Sequence, residues 1–144
     1  MRLETASDFV GSRPKSNDPI VMTEQYVQSM VGTIGRGLIE QHIGDADWMA
    51  AANRWDGNRY GYPYLTQFAE NIVYKELLFM RDHSMGIDMN AQPDLDIMTF
   101  LLDADVFVTN EHGFARRAFD DIWRPRGKRL MTSAEFANHL RSLS

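Results

Sequence analysis

The chain has no cysteine. That excludes a disulfide framework, a thiol nucleophile and a Cys-based zinc site, and it makes a reducing, cytoplasmic setting the default expectation. No stretch approaches the roughly 20 apolar residues that a membrane span needs, and the opening Met1–Thr5 lacks the apolar core of a secretory signal. Several catalytic patterns are also missing: GxSxG, the Walker A loop and HExxH. The four histidines, at positions 42, 83, 112 and 139, have no ligand spacing. At 144 residues, 44% hydrophobic and 24% charged, the chain has the length and composition of one folded domain rather than a disordered tail.

Charge is spread unevenly along it. Residues 82–111 contain seven Asp or Glu and no Lys or Arg, whereas residues 112–144 contain seven Lys or Arg and three acids. An acidic block can gather a divalent metal, and a basic one can hold a phosphate backbone. The ordinary alternative is a solvated acidic loop beside a solvated helix face.

Residues 1–22 are rich in loop formers around Gly11–Pro19 and are expected to be a loosely ordered segment, with a single domain over 23–144. Thr23 offers an N-cap to a helix carrying Tyr26, Val27, Met30, Val31, Ile34 and Leu38 at helical spacing. Gly32, Gly35 and Gly37 mark close packing or a break in it. Asp45 is placed to cap a short helix through Trp48–Ala52, and Asp56-Gly57-Asn58 reads as a turn. Gly61-Tyr62-Pro63 reads as a loop. The strongest helix, over 64–81, presents Leu65, Phe68, Ala69, Ile72, Val73 and Phe79 on one stripe. Glu76 falls within that stripe, with Glu70 further round.

Residues 82–93 read as a loop. Asp94 opens a short helix on the side of Ile97, Met98 and Leu101, while Asp96 points roughly opposite, toward solvent. Val106–Thr109 is a short β-branched and aromatic run, as a buried strand would be. Phe114, Ala115, Ala118, Phe119 and Ile122 make a further amphipathic helix. A second strand is expected over 128–131, and Thr132-Ser133-Ala134-Glu135 matches a capping box opening the last helix, through Phe136 and Leu140. Helix–strand–helix–strand–helix implies an α/β fold with a small parallel sheet flanked by helices.

Glu111 follows the first of these strands at its carboxyl end, where ligands of open α/β sheets bind. With Asp94 and Glu76 it forms the one acidic constellation suited to Mg²⁺ or Mn²⁺, ions that prefer oxygen ligands and can activate a water against a phosphodiester. Arg124, Arg126, Lys128 and Arg129, with Arg116 and Arg117 one helix away, form a candidate nucleic-acid contact.

The run Asp94–Glu111 resembles the later part of PIN domains, metal-dependent nucleases in which an Asp opens a helix and a strand ends in Thr-Asn-Asp. Arg126–Phe136 is similar to the short strand and Thr-Pro-Glu-Glu-Phe-like helix start of the same family. The resemblance covers roughly residues 64–141; the family's first strand and its acid are not recognised in the N-terminal part. It implies a PIN-like three-layer architecture and a Mg²⁺- or Mn²⁺-dependent ribonuclease, of the kind found as a toxin component. Asp94, with Asp96 as its register alternative, then matches the helix-opening acid. Glu111 takes the strand-end position, and Glu76 or Glu70 the mid-domain acid. The alternative is a catalytically inactive PIN-like module binding RNA or a protein. Two strands leave open sheet edges, so the chain is expected to form a homodimer through helices 23–43 and 64–80, or to join a partner that completes the sheet.

Overall fold

The computed structural model describes residues 24–44, 47–81 and 91–144. The chain divides into two compact units, within residues 1–87 and 88–144. Of the described residues 79% are helical, and the remaining regular structure is a two-stranded parallel sheet. The expected loop segment 1–22, the Thr23 and Asp45 caps and positions 82–90 of the expected loop lie outside the described residues.

Among its described residues the first unit holds three helices, α1 (Glu24–Ile43), α2 (Trp48–Gly57) and α3 (Pro63–Arg81), with a 3₁₀ turn, Arg59–Gly61, before α3. α1 packs against both α2 and α3. It buries Val27, Val31, Gly35 and Ile39, spaced four apart along one stripe, with Gly32 beside them. The two buried glycines are close-packing positions: the space a Cβ would fill at Gly35 is taken by the indole of Trp55, and at Gly32 by the Arg59 guanidinium. Trp55 is 2% exposed, and its Nε1 donates to Thr66 Oγ1 at 3.1 Å.

Arg59 ties this unit together. Its Nε and Nη2 donate to Asp56 Oδ1 at 2.9 and 2.6 Å, and its Nη1 donates to the backbone and side-chain oxygens of Gln28 on α1. Its guanidinium lies 5.0 Å from the centre of the Trp55 ring. Arg36 reaches the other Asp56 oxygen at 3.1 Å.

Three local expectations change here. Asp56 and Gly57 belong to α2 rather than to a turn: Arg36 and Arg59 hold Asp56 in the last helical turn, which ends at Gly57. Pro63 opens α3 instead of closing a loop, because a first-turn residue needs no N–H partner. The buried face of α3 is also rotated from the expected stripe. Ala69, Val73, Tyr74, Leu77 and Leu78 are buried, while Phe68 and Glu76 are exposed. The face includes Gln67 and Asn71, buried together by a 2.9 Å side-chain hydrogen bond, so apolar spacing alone misplaces its centre.

The second unit runs α4 (Ala91–Met98), a 3₁₀ turn (Thr99–Leu102), β1 (Val106–Val108), α5 (Phe114–Ala118), a π-helical turn (Phe119–Trp123), a second 3₁₀ turn (Arg124–Arg126), β2 (Arg129–Met131) and α6 (Ser133–Ser142). β1 and β2 pair in parallel, with Val106 opposite Arg129, Phe107 opposite Leu130 and Val108 opposite Met131. The helical segment between them buries Phe114, Ala115, Ala118, Phe119, Ile122 and Trp123. The Phe119 ring stacks on Phe107 of β1 with centres 6.4 Å apart. Gly127, at φ +81°, takes the left-handed conformation that turns the chain into β2.

Asp94 does not open its helix. α4 begins at Ala91, and Pro93 sits inside its first turn. The inward side is formed by Leu95, Met98, Thr99 and Leu101, and Ile97 is exposed. The tightening from α to 3₁₀ at Thr99 rotates the later residues away from a uniform 100° spacing. Asp96 is half-buried and accepts from Gln92 Nε2 at 2.9 Å, rather than standing free in solvent.

Candidate nucleic-acid interface

Parallel pairing brings the carboxyl ends of β1 and β2 to one edge of the sheet. Thr109 Oγ1 accepts the Glu111 N–H at 3.1 Å, which bends the chain as it leaves β1. Asn110 Oδ1 accepts the Ser133 N–H at 3.0 Å, and Asn110 Nδ2 donates to Ser133 Oγ at 2.9 Å, joining this bend to the first turn of α6. The same turn carries the expected capping box: Thr132 Oγ1 accepts from Glu135 N, and Glu135 Oε2 accepts from Thr132 N, both at 3.2 Å. Glu111 therefore stands exposed beside a braced strand end.

The other candidate acids are placed differently. Asp94 is half-buried on α4 and engaged in an interaction of its own. Glu76 is exposed on α3, in the first unit, and Glu70 on the same helix is half-buried. Among the described residues no three His, Asp or Glu side chains converge to hold a metal ion.

The basic residues are organised by the π turn. The Arg124 N–H donates to the Phe119 carbonyl five residues back, the spacing of a π turn. That spacing sets the Arg124 guanidinium 5.3 Å from the centre of the Phe119 ring, with its Nε donating to Asp120 at 2.8 Å. Two residues on, Arg126 lies 4.8 Å from the centre of the Trp123 ring. Both guanidinium groups thus rest on aromatic faces, an arrangement that limits their freedom while leaving much of each side chain in water. Arg124 is 53% exposed, and Arg126 and Arg129 are exposed as well.

Lys128 departs from the expected basic face. Its side chain is only 19% exposed, and Nζ lies 3.6 Å from Asp105, just before β1. Arg116 is half-buried and donates to His112 Nδ1 at 3.2 Å, and Arg117 is half-buried on the same helix.

Comparisons with protein-family models, with curated proteins and with solved structures find no match.

Sequence reasoning found the basic residues but missed their aromatic seats. The i,i+3 spacing of Trp123 and Arg126 carried that signal. The seat under Arg124 depends on the π turn, which no periodicity announces. The Asn110–Ser133 link was equally hidden, because it joins residues 23 positions apart.

Proposed function

We propose that the second unit is a PIN-like module that binds single-stranded RNA through its phosphate backbone. The observation that carries the reading is the seating of Arg124 on Phe119 and Arg126 on Trp123, with Arg129 exposed at the start of β2. Three guanidinium forks within six residues match phosphate oxygens in charge and in planar hydrogen-bond geometry. Two of them are held by aromatic rings, so less rotamer freedom is lost on binding. Backbone contacts of this kind give affinity without reading sequence. The test is fluorescence anisotropy of a labelled single-stranded RNA with the full chain and with the triple variant Arg124→Gln, Arg126→Gln, Arg129→Gln. Binding by the parent chain, weakened at least tenfold in the variant, supports the reading; equal binding by both removes it.

The exposed position of Glu111 at the carboxyl end of β1 favours a second reading, the metal-dependent ribonuclease that the resemblance implies. RNA cleavage in Mn²⁺ that disappears in Glu111→Gln would replace simple binding with catalysis.

A further inference from the structure

Outside the basic face, the most unusual surface is the corner between α2 and α3. Asn58-Arg59-Tyr60-Gly61-Tyr62-Pro63-Tyr64 puts three tyrosines into five residues. Tyr60 is 97% exposed, Tyr62 41% and Tyr64 36%. Phe68, one helical turn beyond Tyr64 on α3, is also exposed. Single exposed aromatics are ordinary, but a cluster of them marks an interaction surface.

The corner is fixed from beneath. Asn58 accepts from the Gly61 N–H through both its side chain and its carbonyl, and Tyr62 N donates to the Arg59 carbonyl. That carbonyl also accepts from Thr66 Oγ1 at 2.7 Å, and Thr66 in turn holds the Trp55 indole. Arg59 is anchored to Asp56 and Gln28. The tyrosines therefore project from a braced backbone, which lowers the ordering cost of binding.

Charge selects the occupant. No Asp or Glu occurs from residue 57 to 69. Asp56, the last carboxylate before this run in the sequence, is shared between Arg36 and Arg59, so it is more than neutralised, and Arg54 is exposed on the preceding helical turn. An aromatic, weakly positive surface suits unpaired bases flanked by phosphates, since every base offers a face to stack on.

We infer that the Tyr60–Tyr64 corner is a stacking platform for unpaired bases of single-stranded nucleic acid, with Tyr60 as its leading ring. The inference rests on the RNA-binding reading of the second unit, which supplies phosphate contacts but none to bases. Two probes of about ten nucleotides separate the two: an oligouridylate and an abasic sugar-phosphate of equal length. With the full chain, both probes bind, and the oligouridylate binds roughly tenfold tighter. Tyr60→Ala removes that difference and leaves affinity for the abasic probe unchanged, while Tyr60→Phe, which keeps the ring, retains it. Equal affinity for the two probes, or a difference that survives Tyr60→Ala, overturns the stacking platform and leaves the phosphate reading intact. Binding of the oligouridylate alone, dependent on Tyr60, supports the platform and overturns the phosphate reading. Binding of neither probe overturns both, and leaves the corner as a surface for a protein partner.

Discussion

The indole of Trp55 lies against the α-carbon of Gly35, in the volume a methyl group would fill. Contact between α1 and α2 depends on that missing side chain, and the Trp55 ring is held by the Arg59 guanidinium over its face and by the Nε1 hydrogen bond to Thr66.

Gly35→Ala is expected to destabilise the first unit by about 2 kcal/mol, because overpacking against a fixed ring outweighs the gain in helix propensity. Gly37, on the same helix, has nothing within 4 Å of a built Cβ. Gly37→Ala is therefore expected to stabilise by about 0.5–1 kcal/mol. Urea unfolding of the two variants side by side checks both signs.

Much of this unit was legible in the sequence and some was not. The helices themselves followed from apolar spacing, but Gly57 and Pro63 lie inside the helices they were expected to bound, and α2 runs on past Ala52 to Gly57. The role of the α1 glycines was legible only as a pair of alternatives, since what a glycine admits depends on a residue 20 positions away. The face of α3 was misplaced because Gln67 and Asn71 satisfy each other in the interior, and polar residues count against burial in any hydropathy reading. In the second unit both strands, their parallel pairing and the Thr132 cap were readable from β-branched runs and the capping-box pattern. The start of α4 was not, as Pro93 reads as a stop but is tolerated in a first turn. Of the candidate site, residue types and charge were visible. Which acids converge is a property of tertiary placement, and the ring under Arg124 is set by a π turn that apolar spacing does not reveal.

The hydrogen bond from Arg59, followed by that from Arg36 and the charges of both, holds the Asp56 carboxyl below its ordinary range in spite of partial burial. A carboxyl with a lowered folded pKa stabilises the protein fully above its unfolded value, near 3.8, and loses that contribution as pH falls through the lowered folded value. Asp56→Asn is expected to cost about 1 kcal/mol at neutral pH, a figure kept small by solvent screening. Unfolding curves of parent and variant should converge below the lowered folded value, as the parent's carboxyl also becomes neutral. A gap that widened on acidification would contradict this.

Thr132→Ala removes the side-chain half of the capping box and is expected to destabilise α6 by about 1 kcal/mol. Asn110→Ala, which cuts the link from β1 to Ser133, is expected to cost a similar amount. Because both act on the first turn of α6, the double variant should lose less than the two single losses together. A double-mutant cycle by chemical denaturation measures the coupling, and strict additivity would argue against a shared turn.

The central claim is that Arg124, Arg126 and Arg129 contact RNA phosphates, and the salt dependence of binding tests it most directly. If these three neutralise three phosphates of a single strand, log affinity should fall against log salt with a slope of about −2, at roughly −0.7 per contact. The triple Gln variant should then bind weakly and with little salt dependence. An affinity that stays flat between low and moderate salt, or a slope unchanged in the variant, would contradict the account.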